Sequence, residues 1–154
     1  MATNHSTVAS IAGLPTIANE RLLDMALVAE YAAGDTILRE GASVPFLGVV
    51  EAGRVALRLH VPGRGSSTIT TIEPGDLIGW SAVVPPYRAT SEAVALEPTR
   101  VRAWEASALR ERLAIDPELA ADLLPAVLAC VSDRLSTSWQ QLLDLFGTSP
   151  VEPW

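Results

Sequence analysis

In the stretch EPGDLIGWSAVVPPYRATSEAVALEPT, residues 73–99, a glycine-led apolar run from Gly79 to Val83 is followed by a single Arg88 set among small residues. A short helical turn that opens at a glycine leaves backbone N–H groups without partners, and a guanidinium matches a phosphate in two-point geometry, so the two together describe a small anion site. Other chemistries lack their parts. The histidines are His5, near the N-terminus, and His60, alternating with Arg58 along a strand pattern, too few to converge on a metal. Ser81 follows Gly79, but a nucleophile elbow needs a second glycine where Val83 stands. Cys130 lies in a helical pattern with no histidine near it in sequence, and Glu111, Glu118 and Asp122 read as solvated helix faces. A binding domain is expected, not an enzyme, with no metal and no cofactor.

The elements that must hold such a site come from a chain of 154 residues and 49% hydrophobic content, enough for one domain with a proper core. A net charge of −7 opposes attraction to nucleic acid, so none is expected as a partner. One cysteine allows no internal disulfide, the N-terminus carries no basic and apolar leader, and no apolar run approaches the ~18–20 residues that cross a bilayer. A cytoplasmic, membrane-free location is expected.

Residues 1–17 are expected to be a flexible tail, 18–146 the folded domain and 147–154 a C-terminal tail. Asn19 is positioned to cap a short helix that carries Leu22, Leu23, Met25, Ala26, Leu27 and Ala29 and stops near Gly34-Asp35. The middle reads as β: TILREG, FLGVVEAG, and RVALRLHV, in which Val55, Leu57, Leu59 and Val61 alternate with Arg54, Ala56, Arg58 and His60. A hairpin at residues 62–67 leads into TITTI, and EAVALEPTRVRAW adds one or two strands. From Glu105 the pattern is helical through Ala108, Leu109 and Leu113; Asp116 can cap a further helix with Pro117 at its first position, and Pro125 starts or kinks a longer one running to Phe146. In that last helix Leu124, Leu128, Val131, Leu135, Ser138, Leu142 and Leu145 form a heptad seam, with Val127, Trp139, Leu143 and Phe146 to one side. Either one face covers the β core and the other meets a second copy, or a single wide stripe is buried within the monomer; a homodimer is the expectation.

This order of elements resembles the cyclic-nucleotide-binding domain, a mainly β fold with flanking helices: a β roll of the jelly-roll kind between an N-terminal helix and a long C-terminal helix. The resemblance rests on Gly34-Asp35-Thr36-Ile37-Leu38-Arg39-Glu40-Gly41, Glu51-Ala52-Gly53-Arg54-Val55-Ala56-Leu57 and Pro74-Gly75-Asp76-Leu77-Ile78-Gly79, three glycine landmarks in order, and it spans about residues 18–146. It implies a phosphate-binding cassette after the third landmark, with Gly79, Trp80, Ser81, Ala82 and Val83 as the N–H cradle, Arg88 on the phosphate, Ala89 and Thr90 beside it, and Ser138 and Trp139 of the last helix reaching the base. Two departures stand out. Trp80 occupies the place of the family's ribose-binding glutamate and cannot accept a hydroxyl proton. Arg88 stands one residue before the family's arginine, where Ala89 now falls, and in an extended strand one residue reverses the face.

The resemblance implies a stand-alone sensor that binds cAMP, cGMP or another small anion weakly and signals through the placement of its last helix. The eight residues after Phe146 leave no room for a helix-turn-helix, so an unidentified partner chain is expected to read the signal. The alternative is an interaction module that keeps the fold and has lost the ligand, with Trp80 filling the pocket.

Overall fold

The computed structural model describes residues 16–147. Its β-branched and aliphatic runs, cut by glycine turns, form eight strands: β1 (Leu27–Tyr31), β2 (Thr36–Leu38), β3 (Phe46–Ala52), β4 (Val55–Val61), β5 (Gly65–Ile72), β6 (Leu77–Ile78), β7 (Glu92–Ala95) and β8 (Thr99–Glu105). They pair into two antiparallel sheets of four, ordered β1-β8-β3-β6 and β2-β7-β4-β5. Val49, Val50 and Val101 of the first and Val55, Ile72 and Ala93 of the second belong to one apolar cluster and are almost fully buried. This is the β roll with flanking helices that the sequence implies. Among the described residues no helix is long and apolar enough to cross a membrane.

Glycine is required where the roll closes on itself. Gly53, between β3 and β4, has φ 94°, and a Cβ there would lie 2.5 Å from both the Pro98 carbonyl oxygen and Thr99 Oγ1. Only a residue without a side chain lets these two connections pass. The alternation expected for β4 holds in part. Val55 and Leu57 are buried as expected, but Ala56 is buried too, and the β4–β5 register shifts between Leu57 and Arg58, after which Leu59 is exposed. A bulge adds a residue to one side of the ladder and re-aims the side chains beyond it.

Among the described residues three helices flank the roll: α1 (Thr16–Leu23), α2 (Ala106–Ile115) and α3 (Pro117–Gly147). The first is shorter than the sequence pattern suggests and begins before Asn19. Leu27 and Ala29, read as helical, lie in β1, which pairs along its whole length with β8. Backbone pairing to a neighbouring strand outweighs weak local helix preference in so short a segment. The indole of Trp104 donates to the Leu22 carbonyl at 2.7 Å and fixes the end of α1 against β8. The tail readings for 1–17 and 147–154 lie outside the described residues, except that Thr16 and Ile17 open α1 and Gly147 closes α3.

Asp116 and Pro117 start a helix as expected, but it is one helix of 31 residues with Pro125 inside it, not two. Asp116 Oδ1 accepts from the Leu119 N–H at 3.1 Å, and its carboxylate lies 3.4 Å from Arg112 Nε and 3.5 Å from Arg21 Nη1. The Leu119 N–H lowers its carboxyl below the usual aspartate range; burial opposes this as the next largest effect, and the Arg112 and Arg21 guanidiniums add further lowering. A depressed folded-state pKa means the stabilisation is present above the ordinary carboxylate range and lost as pH falls through the folded value. Asp116→Asn keeps an acceptor for the cap and removes the charge. The stability gap between the native protein and this variant is therefore expected to be widest near neutral pH and to close in acid, as read from urea melts across pH.

Candidate functional site

β6 ends at Ile78, and Gly79, with φ 78°, turns the chain into a 3-10 helix, Trp80–Ala82. A Cβ on Gly79 would overlap the Phe46 carbonyl oxygen, so the turn sits directly on β3. Ser81 and Ala82 point into the roll and are buried, while Trp80 is left half-buried on the side facing α3. The N–H groups of Ala82 and Val83 are taken by the Gly79 and Trp80 carbonyls at 2.9 and 3.2 Å. The expected five-residue N–H cradle is thus partly closed on itself.

The first half of α3 is docked through Leu119, Leu123 and Val127, each 1% exposed or less. Farther along, the helix faces the roll across a cavity of about 260 Å³, lined by Leu57, Leu59, Ile69, Thr70, Trp80, Thr90, Ser91, Val131, Arg134, Leu135 and Ser138. Arg134 Nη2 donates to the Leu77 carbonyl, and Gln141 Nε2 to the Ile69 carbonyl, so two side chains of α3 hold backbone of the roll at the cavity's edges. Among the described residues the lining is an apolar wall with four hydroxyls, one cation and no carboxylate, in a protein with 18 acidic and 11 basic residues. Such a composition suits a small ligand with an aromatic or apolar body and a negative group.

Of the residues singled out from sequence, Trp80, Thr90 and Ser138 line this cavity; Gly79, Ser81, Ala82, Val83, Arg88, Ala89 and Trp139 do not. Arg88 requires a correction. Its side chain is exposed, its backbone bridges to Ser43, and its Nη1 donates to the Gly41 carbonyl at 2.9 Å, while Ala89 is buried in the core. Arg88 lies in an isolated bridge between the Pro85–Pro86 turn and β7, and its guanidinium is held by the Gly41 carbonyl outside the cavity lining. The Pro85–Pro86 peptide before it is cis and Tyr87 has φ 63°. Arg110 of α2 spans this turn, its guanidinium 4.4 Å from the Tyr87 ring centroid and its Nη1 donating to the Ala82 carbonyl at 2.8 Å.

Trp139 is 60% exposed and is not among the residues that line the cavity. Of the seam residues, Leu124, Leu128 and Leu142 are exposed, Leu135 is exposed but borders the cavity, Val131 and Ser138 are half-buried against the cavity, and the side chain of Leu145 lies outside the described residues. The stripe is therefore divided between cavity and solvent and is not wholly buried in the monomer. Sequence reasoning did not single out Arg134. The available signal was its place four residues before Ser138, which puts both on one helix face. An adjoining cavity of about 180 Å³ shares Thr70 and Arg134 and adds Asp76, Cys130 and Asp133 to its lining. Burial pushes the Cys130 thiol up, which fits a packing residue better than a reactive one.

The model of the cyclic nucleotide-binding domain matches residues 28–116. A curated relative, the CRP-like cAMP-activated global transcriptional regulator of Mycobacterium tuberculosis, is 29% identical over 119 residues, covering 77% of this chain and 51% of the relative. The chain thus spans about half the length of the curated relatives it matches. Among solved structures, the N-terminal domain of a transcriptional regulator from Streptomyces coelicolor aligns with TM-score 0.64 and 27% identity, over 85% of this chain and 89% of that one. A cyclic nucleotide-binding domain from Methylobacillus flagellatus aligns with TM-score 0.76 over 89% of this chain and 76% of that one; at 22% identity it shows likeness of fold.

Proposed function

The chain belongs to the cyclic nucleotide-binding domain family, and from that membership we propose that it is a regulatory domain whose cavity between Trp80 and α3 takes a cyclic nucleotide, cAMP or cGMP. The observation that carries this reading is the cavity itself: Trp80 forms one wall and does not fill the space, and α3 supplies the opposite wall through Val131, Arg134, Leu135 and Ser138. The indole can stack on a purine face, and Thr70, Thr90, Ser91 and Ser138 offer hydroxyls to ribose or base. Binding is weak, because a tryptophan replaces the carboxylate that would hold the ribose. The cAMP activation named for the mycobacterial relative makes cAMP the first ligand to test.

Occupancy is read out through α3. A ligand touching both walls has contacts that depend on where the helix sits, and so biases one placement over another. The exposed stripe of Leu124, Leu128 and Leu142, spaced for a coiled seam, supports pairing with a second copy. A partner chain would then detect the altered dimer. The ligand-free interaction module is favoured by the outward turn of Arg88 and disfavoured by the open cavity. Titration with cAMP and cGMP under tryptophan fluorescence separates the two: a saturable change that disappears in Trp80→Phe supports the sensor, and no change at millimolar nucleotide supports the module.

A further inference from the structure

If the roll's arginine faces away from the cavity, a bound anion needs another cation. Arg134 is, among the described residues, the one cationic residue in the cavity lining, and no carboxylate lines that cavity with it. Among the described residues it makes no ion pair, although Asp76 and Asp133 line the adjoining cavity on which it also borders. Its guanidinium donates to a backbone carbonyl, that of Leu77, two residues before Gly79. A guanidinium has five N–H donors in a rigid fork. One donor held by Leu77 fixes the side chain between helix and roll and leaves the others for an anion.

We propose that Arg134, carried on α3, is the specificity-determining residue that pairs with the phosphate of the ligand. This rests on the reading of the cavity as a nucleotide site, and it names the ligand class as a singly charged cyclic phosphodiester and not an uncharged nucleoside. The charge contact and the helix contact then reside in one side chain, so the phosphate acts directly on the element proposed to carry the signal. Arg88 keeps its structural bond to Gly41 and plays no part in binding.

The test compares cAMP with adenosine, its uncharged counterpart, by calorimetric titration of the unaltered protein and of Arg134→Gln, Arg134→Lys and Arg88→Gln, each checked by thermal melting. Losing a charge-assisted pair is expected to weaken cAMP binding by about ten- to a hundredfold in Arg134→Gln, with adenosine unaffected. Arg134→Lys keeps the cation and a donor for Leu77, holds the fold should the Gln variant melt early, and binds cAMP between the two extremes. Arg88→Gln binds as the unaltered protein does. Loss of cAMP binding in Arg88→Gln, with both Arg134 variants unchanged, overturns the assignment while leaving the cavity reading intact. Failure of the unaltered protein to bind either cAMP or cGMP overturns both.

Discussion

Gly79→Ala is expected to destabilise the protein far more than a methyl group suggests. Holding an L-residue near φ 78° costs about 1–2 kcal/mol, and driving a Cβ into the Phe46 carbonyl oxygen, with Val44 Cγ1 3.3 Å away, adds about 1–3 kcal/mol of overpacking. The backbone oxygen belongs to β3 and cannot rotate aside. Gly75→Ala is the matched control, because Gly75 also has positive φ, 96°, but an added Cβ there meets nothing within 4 Å. Urea melts should place Gly79→Ala well below Gly75→Ala, and equal midpoints would show that the turn does not press on β3. The same glycine launches Trp80 toward α3, so a surviving Gly79→Ala protein should also respond poorly to nucleotide.

Leu123→Ala is expected to cost about 2–5 kcal/mol, the range for emptying a fully buried leucine site. Leu123 is 0% exposed and stands between Leu119 and Val127 on the face of α3 buried in the common core. Leu128, five residues on, is 66% exposed. Leu128→Ala should leave urea stability nearly unchanged in dilute protein and weaken self-association in sedimentation equilibrium. The pair tests the division of α3 into a docking face and a seam. A large stability loss in Leu128→Ala at low concentration, or no loss in Leu123→Ala, would reverse the assignment of the faces.

Much of the roll was legible because its signals are local. Gly53 and Gly79 mark turns that no side chain fits, the apolar run of β3 announces a buried strand, and Asp116-Pro117 announces a helix start. The misreadings fall where distant partners decide. Leu27 to Tyr31 joins a sheet because β8, some seventy residues later, supplies its hydrogen bonds. Pro125 sits within α3 because burial of Leu119, Leu123 and Val127 in the common core outweighs the local break.

The candidate site was legible to a smaller extent. Trp80 and Ser138 were found by position in the family pattern, and the Arg88 offset was visible as a count of residues. Its consequence needed three-dimensional structure, since a reshaped turn had the freedom to cancel it. Arg134 carried only a weak mark in the sequence, its place one helical turn before Ser138, which does not by itself show that it borders a cavity. Its bond to the Leu77 carbonyl and its place in the cavity lining reveal it.

The most direct test of the central claim, that a nucleotide sits between Trp80 and α3, is hydrogen–deuterium exchange with and without saturating cAMP. A ligand in the cavity slows exchange together in the segment around Trp80 and in the part of α3 from Val131 to Ser138, which lie on opposite walls. Unchanged exchange in both segments, or protection confined to the Gly41–Arg88 surface outside the cavity, would contradict it.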